Sequence, residues 1–229
     1  MEVKIISTTQ TVVNYLRDQI IIGEISPGQK LNESLWASRL GISIPPLRES
    51  FRILEGERLV VSVPRKSTYV TEISEDDFKA VYQSRGMIEC YAIDLIQAKK
   101  IQDFSLLDGV LNAASNIKIE SGIELKELLK YARIFAEFHV KLIELSGNGY
   151  LIHFYRSIIS NVFRYQFLYF VKGTSLLLLE EHSKILDFIR VGDYEQAKKN
   201  LLLHINYSFE KIINSKSLFP QSHSNKFNR

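Results

Sequence analysis

The stretch from Leu31 to Val70, LNESLWASRLGISIPPLRESFRILEGERLVVSVPRKSTYV, constrains the fold of this chain more than any other. Asn32 or Ser34 is placed to cap a short helix that carries Leu35, Trp36 and Leu40, and Gly41 supplies its C-terminal stop. A second helix is expected from about Pro46 to Glu57, with Leu47, Phe51 and Leu54 turned inward. Leu59 to Val63 and Thr68 to Thr71 then alternate in polarity like the arms of a hairpin around Pro64-Arg65-Lys66-Ser67. Helix, tight turn, helix and basic-tipped hairpin, in that order, outline a winged helix-turn-helix, a device that lays one helix in the major groove of DNA.

Upstream, Val12, Val13, Leu16 and Ile20 form one helical stripe within Thr8 to Ile22, closed by Gly23, and Ser26-Pro27-Gly28 makes a turn. A boundary is expected near Ile73. Ser74 followed by Asp77 is a capping pair that opens a long helix whose Phe78, Val81, Tyr82, Arg85, Ile88, Glu89 and Ala92 share a face. Beyond it the periodicity stays helical, with helices expected over about 103–119, 122–146, 149–172, 174–191 and 194–214, the last opened by Asp193 with Gln196. The predicted architecture is mainly α: an N-terminal winged helix-turn-helix over residues 1–72, a C-terminal antiparallel all-helical bundle over 73–215, and a polar tail over 216–229.

A length of 229 residues, 45% hydrophobic and 24% charged, belongs to a folded protein with enough chain for a sizeable core. The net charge of +3 gives little general attraction to a polyanion, and residues 1–72 hold nine Lys and Arg against eight Asp and Glu. DNA binding by that segment therefore requires its basic groups to be gathered on one face. Cys90 is the only cysteine, which excludes an intrachain disulfide and a cysteine-based zinc finger. The N-terminal MEVKIISTTQ lacks the apolar stretch of a signal peptide. Leu151 to Val171 is broken by Arg156 and Arg164, so it reads as a buried helix and not a membrane span. A soluble, cytoplasmic protein with no membrane partner is expected.

Residues from about 10 to 72 resemble the N-terminal domain of the GntR family of bacterial transcription regulators. The resemblance lies in the order and spacing of the I-x-G-x-I-x-P-G turn, the L-G-I-S turn, the P-L-R-E-S helix and the wing. It implies a dimeric repressor or activator bound to a double-stranded DNA operator. Arg48 matches the family's arginine in the recognition helix, and Arg65 and Lys66 match its basic wing tip. Apart from the family, Arg48 and Arg52 lie four apart on one helical face and can meet a base edge or phosphates together, although single arginines there are equally at home as solvated surface groups. Ser43, at the end of the turn, joins Arg48, Arg52, Arg65 and Lys66 as an expected DNA contact. The chain departs from the family at Ile44-Pro45-Pro46, where Arg-Thr-Pro or Arg-Ala-Pro is usual. Ile44 cannot hydrogen-bond a guanine, which predicts an altered operator preference, with apolar contact to thymine methyls as one route. A residue before proline disfavours helical geometry, so Ile44 is expected to be extended and the helix to begin late.

Three of the five histidines, His139, His182 and His204, sit in helical segments beside core-facing apolar residues. On spacing alone they read either as core histidines hydrogen-bonded to neighbours or as three ligands of one divalent metal with positions left open. Residues 74–212 resemble the FCD ligand-binding domain of the FadR-like branch of the same family, through YQSRGMIE at 82–89, FHVKLIELSGN at 138–148, EHSKIL at 181–186 and GDYEQAKKNLLLHI at 192–205. The resemblance implies that His139, His182 and His204 bind a divalent metal inside the bundle. The family's usual Asp ligand, four residues before the first His, is Phe135 here, and a phenyl ring cannot coordinate. Three imidazoles still suit Zn²⁺ or Ni²⁺, whereas harder ions such as Mn²⁺ are disfavoured. Arg85 matches the arginine of the family's Y-x-x-R motif, and its partner is either Glu89, one turn on, or an effector carboxylate. Arg164 is a second candidate of that kind. The aromatic residues around it, Phe163, Tyr165, Phe167, Tyr169 and Phe170, read as core or dimer-interface material.

Together these features predict a regulator with no catalytic residues: a homodimer that reads an inverted repeat and whose operator affinity is set by a small organic acid, with a divalent metal in the bundle. Two alternatives stand beside it. One is a metal-dependent enzyme built on the three-histidine site, against which speaks the lack of an H-E-x-x-H-like general base. The other is a regulator with a vestigial effector site whose bundle serves only dimerisation.

Overall fold

Ser7 accepts a hydrogen bond from the Gln10 amide and so opens α1 (Thr8–Ile21), the first element of a computed structural model that describes residues 7–117, 123–170 and 175–214. Asn32 does the same for the Leu35 amide at the start of α2 (Glu33–Leu40), and Gly41 ends that helix in the left-handed region at φ 65°. The next helix, α3 (Ile44–Gly56), begins two residues earlier than the late start expected from its prolines, and Ile44 is its first residue. The first amides of a helix have no partner within it, so prolines in the first turn remove no helical hydrogen bond. Ile44 also packs against the core of this unit, which outweighs its reluctance to precede a proline in helical geometry.

β2 (Val60–Val63) and β3 (Ser67–Val70) form the expected hairpin, with Val60 opposite Val70 and Val63 opposite Ser67. A further strand, β1 (Lys30–Leu31), pairs antiparallel with β3 and completes a sheet of order β1-β3-β2. Two residues are too few to show alternation, which is why it is invisible in the sequence. Leu16, Leu31, Trp36, Leu47, Phe51, Leu54, Leu59 and Val70 fill one core shared by the three helices and the sheet. Arg17 on α1 forms an ion pair with Glu57 just past α3. Ser50 on α3 donates to the Thr9 carbonyl of α1.

The chain divides into compact units between Ile73 and Ser74. Ser74 caps α4 (Glu75–Ala98) by accepting from the Asp77 amide, and Glu75, Asp76 and Asp77 set negative charge at the positive end of the helix dipole. The helices α5 (Ser105–Ser115), α6 (Leu125–Leu145), α7 (Gly149–Phe170), α8 (Ser175–Arg190) and α9 (Tyr194–Ile213) follow, and Asp193 caps α9 by accepting from Gln196. α4 packs against α6, α7 and α9, while α8 lies against α5, α6 and α9. The expected inward face of α4 is buried in full, from Phe78 through Val81, Tyr82, Arg85, Ile88 and Glu89 to Ala92. Phe163, Tyr165 and Phe167 of α7 are buried too, whereas the side chains of Tyr169 and Phe170 and the tail at 216–229 lie outside the described residues. Among the described residues no helix is long and apolar enough to cross a membrane.

Leu47 is fully buried and seats the middle of α3 on the core. The variant Leu47→Ala is expected to lower unfolding stability by about 2–5 kcal/mol, through lost transfer energy and the cavity left behind. Urea unfolding of the two proteins side by side measures it, and a loss below about 1 kcal/mol contradicts this packing role.

Candidate functional site

His139 lies on α6 in the stripe that also buries Phe135, Phe138 and Leu142, so the helix aims its imidazole into the bundle. His182 on α8 shares a face with Ile185, Leu186 and Ile189, and His204 on α9 with Leu201, Ile205 and Ser208. Each histidine is 2% exposed. Their ring nitrogens converge. Nε2 of His182 lies 3.0 Å from Nε2 of His139 and 3.3 Å from Nε2 of His204, and one ligand atom from each lies within 4.8 Å of the others. Phe138 stacks on the His182 ring at a centroid distance of 4.5 Å and holds its plane.

Carboxylates orient the outer two rings. His139 donates from Nδ1 to Glu89 at 2.7 Å, and His204 donates from Nδ1 to Glu181 at 2.7 Å. With the proton on Nδ1, Nε2 of each ring carries a lone pair directed at the centre. Glu89, on α4, is wholly buried and also accepts from Arg85 Nε at 2.7 Å and from the Tyr155 hydroxyl at 2.9 Å. Arg85, itself at 0% exposure, donates from Nη2 to Nε2 of His139 at 2.8 Å. Its Nη1 and the hydroxyl of Tyr82 have no hydrogen-bond partner among the described residues.

The electrostatics follow from burial. Removal from water pushes the His139 imidazole down to about 4, although the Glu89 carboxylate pulls the other way. Burial, reinforced by the other two histidines and Arg85, holds His182 well below its ordinary value, and burial also lowers His204 against the pull of Glu181. Burial works against ionisation of Glu89, but Arg85 and His139 together hold its carboxyl below the usual range. Burial raises the Tyr82 hydroxyl to about 12. At neutral pH the site is therefore three uncharged imidazoles beside a charge-balanced Arg85–Glu89 pair.

This donor set fits a borderline divalent cation. Tetrahedral zinc with nitrogens at about 2.0–2.1 Å places its ligand atoms about 3.3 Å apart, close to the 3.0 and 3.3 Å that separate Nε2 of His182 from the other two. Two of the imidazoles already have the outer carboxylates that metal-ligating histidines use to fix tautomer and aim. Phe135, 6% exposed, lies one helical turn before His139 on the same face and contributes no donor.

The structure brings Arg85 into direct contact with His139. Arg164 is buried on α7 beside Tyr165, about 13 Å along the helix axis from Tyr155. Of the two partners left open for Arg85, Glu89 is engaged, one turn along the same helix. The engagement of Glu89 with His139 and of Glu181 with His204 was not expected, and i,i+4 arithmetic carries no signal for either.

In the N-terminal unit, Ser43, Arg48, Arg52, Arg65 and Lys66 are all exposed. A cleft of about 620 Å³ between α2, α3 and the hairpin is lined by Lys30, Glu33, Arg48, Ser62, Arg65 and Lys66. It joins the recognition-helix arginine to the wing tip and adds Lys30, which the sequence reading missed because β1 was not foreseen. Ser43 makes no side-chain cap to α3, so its hydroxyl is not used by the helix. Arg48 donates from Nε to Glu33 at 2.8 Å, which sets the direction of its guanidinium. Arg52 faces Glu49 at 3.5 Å and does not line the cleft. Arg65 holds the hairpin tip with φ at 62°.

Comparison with known proteins places both units. A family model described as bacterial regulatory proteins, gntR family, matches residues 8–70, and a model of the FCD domain matches residues 80–207. The chain is 26% identical over 201 residues to an uncharacterised HTH-type transcriptional regulator of Bacillus subtilis, YdhC, covering 87% of this chain and 88% of that one. It is 25% identical over 197 residues to the HTH-type transcriptional repressor GlaR of Escherichia coli, covering 83% and 89%. Its fold resembles the crystal structure of a GntR regulator from Rhodococcus sp. RHA1, with a TM-score of 0.70 at 23% identity over 92% of this chain and 99% of that chain.

The buried histidines also set a pH dependence. All three have pKa values below the ordinary 6.5, so the unfolded chain takes up their protons first as pH falls. Their contribution to stability is complete above about pH 6.5 and is lost below it. The Tm of chelator-treated protein is expected to fall steadily from about pH 7 to about pH 5, and a flat or rising profile contradicts the buried, neutral assignment.

Proposed function

The chain belongs to the GntR family and carries an FCD domain, and on that premise we propose that this transcriptional regulator couples operator binding to a small organic acid held with a divalent metal in its helical bundle. The observation that carries the effector half is the convergence of three neutral imidazoles on one point, beside a buried guanidinium with an unpartnered nitrogen. In this reading residues 1–72 form the DNA-binding head and 73–215 the effector-binding and dimerisation domain. His139, His182 and His204 hold the metal, zinc or nickel by the softness of the donors, which supplies a positive charge to attract a carboxylate. Arg85 takes part in carboxylate recognition, and Arg164 is the second candidate. The carboxylates that lie against the imidazoles, Glu89 and Glu181, are engaged at Nδ1, so neither is free as a general base. That favours a binding site over a hydrolytic one.

At the head, Arg48 directed by Glu33 reads a base edge in the major groove, while Arg65 and Lys66 neutralise phosphates or enter the adjacent minor groove. Ser43 and Arg52 add contacts along the same helix. A homodimer presents two such heads to an inverted repeat. Ile44, partly buried against the core, stands where the family pattern usually has an arginine, so the preferred half-site is expected to differ from the family's usual one.

Selection of binding sites from random duplex DNA, followed by affinity measurements on the enriched sequence, tests the reading. An inverted repeat is expected. Arg48→Ala weakens binding to it by roughly tenfold or more, and an organic acid changes the affinity several-fold only when zinc or nickel is present. Recovery of no enriched sequence refutes the DNA half. Enrichment with no response to any carboxylic acid, with or without metal, refutes the effector half and leaves a bundle that serves dimerisation alone.

A further inference from the structure

One lone pair in the bundle has two claimants. Nε2 of His139 belongs to the cluster proposed above to hold a cation, and it also accepts the hydrogen bond from Arg85 Nη2 at 2.8 Å. An imidazole nitrogen offers a single in-plane lone pair, so it cannot serve a guanidinium and a metal at once. Arg85 is besides a permanent charge, and its repulsion of a second cation at that distance is little screened in a buried site.

The rest of Arg85 indicates what resolves the conflict. Nε is tied to Glu89, Nη2 rests on a neutral acceptor, and Nη1 has no partner among the described residues. The Tyr82 hydroxyl, equally buried and unpartnered, belongs to a ring whose centroid lies 5.7 Å from the guanidinium carbon. Tyr82 and Arg85 are close enough to influence each other's charge, but neither the hydroxyl proton nor Nη1 has a well-aligned acceptor, and a carboxylate is the acceptor a guanidinium binds best. The charge count agrees. Arg85 and Glu89 cancel, the imidazoles are neutral, Phe135 brings nothing and the part-exposed Glu181 stands outside His204, so a dication entering alone meets no anionic group among its own ligands.

Resting on the metal-site reading above, we propose that Arg85 is a built-in competitor for the ligand nitrogen of His139, and that a carboxylate ends the competition, so that divalent cation and organic acid bind as a mutually reinforcing pair. A carboxylate that accepts from Nη1 and Nη2 draws the guanidinium off His139, frees Nε2 and neutralises the positive charge beside it. A cation on Nε2, in turn, releases Nη2 and leaves Arg85 with two donors for the acid. Each ligand removes the penalty the other meets, and linkage makes the enhancement equal in both directions.

Cobalt(II) titrated into chelator-treated full-length protein, followed by its visible absorption with and without acetate at matched ionic strength, tests the coupling. Acetate is expected to tighten cobalt binding by roughly tenfold or more. In Arg85→Met/Glu89→Gln, which removes the guanidinium and its counter-charge together and leaves an amide oxygen for the Nδ1 proton of His139, cobalt binds without acetate at least as tightly as in the wild type, and the acetate effect falls close to onefold. Tyr82→Phe retains cobalt binding and weakens the acetate effect several-fold. If the double variant fails to fold, the wild-type ratio and Tyr82→Phe decide. Equal cobalt affinity with and without acetate in the wild type overturns the coupling and leaves the metal site standing, whereas no cobalt binding under either condition removes both.

Discussion

The carboxylate of Glu89 is the point on which the bundle turns. It has no solvent exposure and accepts hydrogen bonds from Arg85 on its own helix, His139 on α6 and Tyr155 on α7. Burying Arg85 without a counter-charge costs about 3–5 kcal/mol, a large share of the stability of a folded domain, and the same holds for Glu89 alone. Together they are tolerable because nearly every polar atom of the pair is satisfied. The consequence reaches beyond stability. By accepting the hydrogen bond from Nδ1–H of His139, Glu89 turns the lone pair at Nε2 of that ring toward His182 and His204, so an ion pair between neighbouring turns of one helix orders a site built from several.

The winged unit uses charge differently. Its basic and acidic residues nearly balance, yet the fold draws Lys30, Arg48, Arg65 and Lys66 around one cleft. Glu33 at the start of α2 holds Arg48 in one orientation, which trades some of its free charge for direction. Composition alone is therefore a poor guide to nucleic-acid binding in such a domain, because the relevant quantity is where the hairpin and the second helix place a handful of cations.

Much of this architecture is legible in the sequence. The buried face of α4 follows from apolar residues at helical spacing, and the Arg85–Glu89 pair from the distance of one turn. The caps at Asn32, Ser74 and Asp193 follow from side chains that accept backbone hydrogen bonds. The three histidines are marked as a set only by resemblance to a family, because nothing in their spacing across α6, α8 and α9 says that they meet. Glu181 illustrates the limit. It adjoins His182 in the chain, yet successive helical residues point about 100° apart, and it bonds His204 on the next helix instead. Ile44 shows a local rule yielding to a tertiary one, since core packing and the spare amides of a first turn allow a helical residue before proline.

The central claim is that these three imidazoles form one ligand set. X-ray absorption at the zinc edge of the reconstituted protein tests it most directly. The account predicts three imidazole nitrogens at about 2.0–2.1 Å with a further light-atom ligand, and the loss of one imidazole in His204→Ala. A shell of oxygens alone, or an imidazole count unchanged by that substitution, contradicts it.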